Sequence, residues 1–73
     1  MKNRYYDLSD ISELDIPDKI KKELKEKFNK LVFYDDNGSC RVGTLTNFTK
    51  NYYIIKSNNI LSFVPIWKRL TIV

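Results

Sequence analysis

Two hydrophobic periods divide this chain. Ile20, Leu24 and Phe28 recur every four residues, with Lys and Glu filling most positions between them. That spacing draws a narrow apolar stripe on a helix whose remaining circumference is charged, so the helix can lie on a surface but cannot be surrounded. Its start falls at Asp15 or Ile16. Pro17 suits a first turn that needs no N–H, and Asp18 complements the positive end of the dipole. The pattern predicts a helix of about 12 residues.

After Lys30 the period becomes two. Leu31-Val32-Phe33-Tyr34 is rich in strand formers, and Asp35-Asp36-Asn37-Gly38 follows, with Asn-Gly the strongest short hairpin signal. Residues 40–48 alternate, with Val42, Thr44 and Thr46 on one side and Arg41, Gly43, Leu45 and Asn47 on the other. Gly43, in mid-strand, is where a sharp bend or bulge is expected. Thr49-Lys50-Asn51 and Ser57-Asn58-Asn59 are turns bounding strands at residues 52–56 and 60–64. Pro65 opens a break over Ile66-Trp67-Lys68, and residues 70–73 form a last strand. Five strands between residues 31 and 73 are too few for a two-layer sandwich with a useful core. The economical fold is mainly β with one N-terminal α-helix, a small five-stranded antiparallel barrel capped by that helix. Residues 1–15 show no sustained period. Leu8, Ile11 and Leu14 could line one or two helical turns opened by Ser9, and the segment reads as an acidic N-terminal appendage to a single domain, residues 16–73.

Size sharpens this picture. A chain of 73 residues buries only ~60–65% of the surface its unfolded form exposes, so small domains lean on disulfides, metals or partner subunits. Cys40 is the single cysteine and there is no histidine, which removes disulfides and a structural zinc site. Oligomerisation is the device left, so a homo-oligomer is expected. No run of about 18 apolar residues is present. The first ten residues lack the apolar core of a signal peptide, and a lone thiol fits a reducing cytoplasm. The net charge of +4 is unevenly spread: residues 1–17 carry −2, residues 18–30 carry +3 and residues 31–73 carry +3. A basic body behind an acidic leader favours polyanionic partners.

Several of these residues fall into a known arrangement. Asn37-Gly38, four residues, Gly43, one residue, Leu45, two residues and Phe48 resembles the first Sm motif of the Hfq family of bacterial RNA chaperones. Ile16-Pro17-Asp18 is similar to that family's Ile-Gln-Asp opening, and the interval from Ile16 to Asn37 matches. Tyr53-Ile54-Ile55 falls on the family's third strand, and Val64-Pro65-Ile66-Trp67 falls where its Tyr-Lys-His motif stands. The resemblance spans residues 16–73. YolD-like small bacterial proteins are the second likeness, through an Ile-Pro step that Val64-Pro65 resembles. The Hfq likeness implies an Sm-like (SH3-like) barrel and a ring in which the fourth strand pairs with the neighbour's fifth. That arrangement would place Ile60, Phe63, Val64, Leu70 and Ile72 at the subunit interface. The departures fall on the family's uridine pocket: the Lys-His pair is absent, Pro17 stands in place of the glutamine, Asn51 replaces an aromatic, and one residue is added within Trp67-Lys68-Arg69.

Catalysis has little to build on, and no enzyme activity, cofactor or metal is expected. Asp35-Asp36 reads as a turn pair, and Cys40, with no histidine to activate it, as a buried inert thiol. The aromatic and basic residues near the loops offer more. Stacking on exposed rings, with cations for the backbone, is how single strands are held. Lys50, Tyr52, Lys56, Trp67, Lys68 and Arg69 are therefore the candidate RNA-binding residues, against the plain reading in which aromatics fill a small barrel. Tyr52 and Tyr53 are adjacent on a strand, so only one of them can be core. The helix lysines read more simply as a solvated face, with Glu23 paired to Lys27 and Glu26 to Lys30, than as an RNA-binding ridge. Two functions follow as expectations: a divergent Sm-like protein holding single-stranded RNA as a homo-oligomer, or a protein-interaction module, such as a small phage or mobile-element protein that occupies a host factor.

Overall fold

The structure, a computed structural model, describes residues 5–73. The start of the acidic leader, with Lys2 and Arg4, lies outside the described residues. A short 3₁₀ helix, Leu8–Glu13, precedes α1 (Asp18–Lys27), and five strands follow: β1 (Leu31–Asp36), β2 (Ser39–Phe48), β3 (Tyr52–Ser57), β4 (Ile60–Pro65) and β5 (Thr71–Ile72). All pair antiparallel in one sheet of order β4-β3-β2-β1-β5. The protein is thus mainly β with one short α-helix. The sheet does not close: β4 pairs only with β3 and β5 only with β1, so these two are its edges.

Local chemistry sets the boundaries. Pro17 caps α1 without a side-chain hydrogen bond, and the helix is released at Phe28, whose N–H still donates to Leu24 O. Asn29 then takes a left-handed φ of 63° and its N–H donates to Leu45 O at 2.7 Å, while Leu45 N–H donates to Lys30 O. The helix exit is thereby stitched to β2. The first hairpin turns through Asn37 and Gly38 at φ 53° and 89°, the positive pair that the Asn-Gly signal predicts. The second turns through Asn58 and Asn59, also both positive, which Asn tolerates better than other side chains carrying a Cβ.

The core gathers Leu24 from α1, Val32 and Tyr34 from β1, Leu45 and Phe48 from β2, Tyr53 and Ile55 from β3, Val64 from β4 and Leu70 before β5. Leu24 is fully buried, with Ile20 and Phe28 packed against the cluster, as the stripe requires. Leu45 and Phe48 stand an odd number of residues apart yet share the core. A register shift between Leu45 and Asn47 permits this, because the extra residue resets the strand's alternation. The irregularity expected at Gly43 therefore lies at Thr46. Gly43 stays in register opposite Val32 and has another role: a Cβ there would come 2.6 Å from Ile55 Cγ2 and 3.0 Å from Lys56 O. Its bare Cα lets β3 cross closely.

The segment expected to be an appendage joins this core through Ile11, which is buried, and Ile16 packs into the same cluster. Its helix is opened by Asp7, not Ser9. The Asp7 carboxylate accepts from Ser9 N, and the Asp10 carboxylate accepts from Asp7 N. Leu8, Ile11 and Leu14 are spaced by three, the period of a 3₁₀ turn. Tyr6 extends the pairing on β2, exchanging both backbone hydrogen bonds with Phe48 at 2.8 and 3.1 Å.

Candidate nucleic-acid interface

From Asn37 to Val73 there is no aspartate or glutamate, while Arg41, Lys50, Lys56, Lys68 and Arg69 all lie in that stretch. The sheet's second to fifth strands thus carry only positive side-chain charge. Two of these cations are neutralised by the end of β1: Arg41 Nε lies 2.9 Å from an Asp36 carboxylate oxygen, and Lys68 Nζ donates to Asp35 at 2.8 Å. Lys50, Lys56 and Arg69 enter no ion pair among the described residues. That hydrogen bond from Lys68, helped by its charge and by the Gly38 N–H, holds the Asp35 carboxyl below its ordinary value.

The six residues proposed for RNA fall into two groups. Trp67, Lys68 and Arg69 line a cleft of about 470 Å³ against α1, with Pro17, Lys19, Ile20 and Glu23 on the helix side and Ile66 and Tyr53 on the other. Trp67 is 76% exposed, so it fills no core, and Lys68 Nζ sits 5.2 Å from its ring centroid. The turn that carries this ring is closed by Lys68 N–H donating to Pro65 O at 3.0 Å. The second group, Lys50, Tyr52 and Lys56, belongs to β3 and the turn before it. The two groups meet at the backbone, where Ile66 N–H donates to Asn51 O at 3.0 Å. Thr49 Oγ1 braces the same turn by accepting from the N–H groups of Asn51 and Tyr52.

Of the adjacent tyrosines, Tyr53 is the core residue and Tyr52 the exposed one. Burial, with the nearby Glu23 carboxylate second, pushes the Tyr53 hydroxyl up to about 12. Glu23 accepts from Lys27 Nζ as the helix spacing predicts, and Lys27 also donates to Leu70 O at 2.6 Å. Lys27 is therefore a tether between α1 and the approach to β5. No ion pair joins Glu26 to Lys30.

Two expectations are corrected. Cys40 is exposed near the first hairpin, not buried, because the turn leaves its strand end outside the core. Val64 and Leu70, expected at a subunit interface, are turned into the chain's own core, which leaves Ile60, Phe63 and Ile72 as the exposed members of that set. Sequence reasoning missed Lys19, which lies beside the apolar stripe and reaches the cleft only because α1 docks next to Trp67. It also missed Tyr5, in the supposed appendage, which packs on Phe63.

Among the described residues, no group of His, Cys, Asp or Glu is placed to hold a metal ion, and no helix is long and apolar enough to cross a membrane. No family model, curated protein or solved structure matches the chain.

Proposed function

We propose that this protein is a divergent Sm-like RNA-binding protein, resembling Hfq, that acts in the cytoplasm and holds single-stranded RNA on a basic, aromatic-lined face of a homo-oligomer. The observation that carries the reading is the exposed Trp67 ring in a cleft rimmed by Lys19, Lys68 and Arg69, where Glu23, itself paired to Lys27, is the one carboxylate among the lining residues. An open ring beside Lys19 and Arg69, with Lys68 shared with Asp35, suits a base and its phosphate. The strand order supports the Sm-like part. Its free edges are β4 and β5, the two strands that pair between subunits in Sm-like rings. The contact between Tyr34 on β1 and Ser62 on β4 supports a sheet bent towards a barrel. Pairing of β4 with a neighbour's β5 would use main-chain edges together with Ile60 and Ile72, leaving rings on the outer face free.

A titration of the protein with short uridine-rich and adenosine-rich RNAs at moderate salt tests this. Binding tighter than ~10 μM that weakens as salt rises is the expected result. Absence of binding to either RNA sinks the proposal, and a monomeric mass in solution sinks its oligomeric part.

A second reading, a protein-interaction module, is favoured by Phe33 and Val42, an exposed cross-strand pair beside the exposed Leu31. Apolar side chains grouped on an open sheet face mark protein contacts more often than RNA contacts. Capture of a bacterial protein that survives nuclease treatment, and is lost in Phe33→Ser, would support it over the first.

A further inference from the structure

Three aromatic rings form a row on the face of β3 and β4 that turns away from the main core. Tyr5 and Phe63 meet edge to face with centroids 5.9 Å apart, and Tyr52 meets Phe63 likewise at 6.3 Å. Each keeps close to half its surface in water, at 44%, 48% and 42% for Tyr5, Phe63 and Tyr52. Edge-to-face packing fixes the rings without covering them, since each contact uses only one edge. The floor is firm, because Ile54, the register partner of Phe63, is fully buried. Alternation along β3 puts Lys56 on this same face, two residues beyond Ile54, and the exposed Lys50 lies in the turn just before Tyr52. Asp35 and Asp36, which share a groove with Phe63, are both paired to cations. The row therefore offers π surfaces flanked by Lys50 and Lys56 on the β3 side, a combination complementary to unpaired nucleobases on a phosphate backbone. A protein partner's apolar side chains would gain nothing from the cations.

We propose that Tyr5 and Tyr52, buttressed by Phe63, form a stacking site for unpaired bases, with Lys50 and Lys56 facing the phosphates. The proposal rests on the RNA-binding reading above and adds a contact surface distinct from the Trp67 cleft. Phe63, which the family resemblance would put at a subunit interface, becomes the wedge that sets the two tyrosines.

Fluorescence anisotropy of the full chain tests this, with fluorescein-labelled oligouridylate and oligoadenylate of about 12 nucleotides and a duplex RNA as comparison. Tyr5→Leu and Tyr52→Leu are each expected to weaken single-strand binding about 5- to 100-fold, while Tyr52→Phe, which keeps the ring, stays close to wild type. Duplex binding, which offers no free base face, should change little. Lys56→Gln, an exposed substitution that leaves packing alone, should lower the slope of log affinity against log salt by about 1. A Tyr5→Leu, Tyr52→Leu double variant that binds as wild type, while Trp67→Ala weakens binding, overturns the stacking site and leaves the RNA reading standing. An unchanged salt slope in Lys56→Gln also overturns the phosphate contact. Failure of the wild type to bind either oligonucleotide overturns both proposals.

Discussion

The Tyr34 hydroxyl on β1 lies 3.2 Å from the Ser62 hydroxyl on β4, although β2 and β3 stand between those strands in the sheet. A flat sheet would hold them more than ten ångströms apart at about 4.8 Å per strand. The contact therefore records how sharply the sheet curls over its core. Tyr34→Phe and Ser62→Ala are each expected to destabilise the protein by about 1 kcal/mol in urea unfolding. The double variant should cost less than the two together, since both remove one hydrogen bond. Full additivity would show that the hydroxyls do not bond to each other.

Ile11 tests whether the leader belongs to the domain. Its side chain is 6% exposed and packs into the main cluster. Ile11→Ala is expected to cost about 2–5 kcal/mol, as for other buried aliphatics, whereas Leu8→Ala, at a site that is already exposed, should cost far less. Equal small effects from both, measured by thermal or urea unfolding, would return the segment to the status of an appendage.

Lysines on α1 differ in what they touch. Lys27 bonds both Glu23 and the Leu70 carbonyl, with a side chain only 13% exposed. Lys27→Met should cost about 1.5–3 kcal/mol, the worth of hydrogen bonds from a charged donor. Lys25→Met, fully on the solvent side, should stay within about 0.5 kcal/mol of wild type. The reverse order in urea unfolding would refute the tether.

Asp35 competes with any anion for Lys68. Its carboxyl is held below the ordinary value of 3.8, first by the hydrogen bond from Lys68. A depressed folded-state value means that the contribution to stability is present above the unfolded value and lost as pH falls through the folded one. Asp35→Asn should therefore separate from wild type at neutral pH and converge with it as acid protonates the folded-state carboxyl. The same substitution frees Lys68, so RNA affinity should rise at neutral pH. A fall in affinity would mean that the ion pair holds the Trp67 turn in its binding shape.

Tyr53 gives an alkaline signature. Of the five tyrosines, Tyr53 is pushed up to about 12 by burial and by Glu23. A raised value means that the neutral form is favoured on folding, so its contribution is complete below the unfolded value near 10 and is lost as pH rises through 12. Ultraviolet titration of tyrosinate should show a late-ionising component that disappears in Tyr53→Phe. Its persistence in that variant would move the assignment to another tyrosine.

Local periods carried most of the element plan. The four-residue spacing of Ile20, Leu24 and Phe28 marks α1, Asn37-Gly38 marks a left-handed hairpin turn, and alternation marks the strands, because each depends on side chains a few positions apart. The helical turns lined by Leu8, Ile11 and Leu14 were visible, but not their opening at Asp7, since the cap uses two aspartates, nor that Ile11 reaches the core. The candidate site was legible only in kind. Aromatic and basic residues were visible near the loops, but not that Trp67 and Tyr52 belong to different faces.

Which members of each alternating set face inward was decided by the tertiary structure alone. One extra residue at Thr46 resets the phase of β2, so Leu45 and Phe48 share a core that strict alternation forbids. Val64 and Leu70 turn inward while Phe63 turns outward, because β4 takes its face from its register on β3, in which Val64 lies opposite Tyr53. Sequence determined what could be strand, turn or helix through short-range sterics and period. Pairing across the sheet determined which rings would meet, and so brought Tyr5, from the chain's start, onto Phe63 near its end.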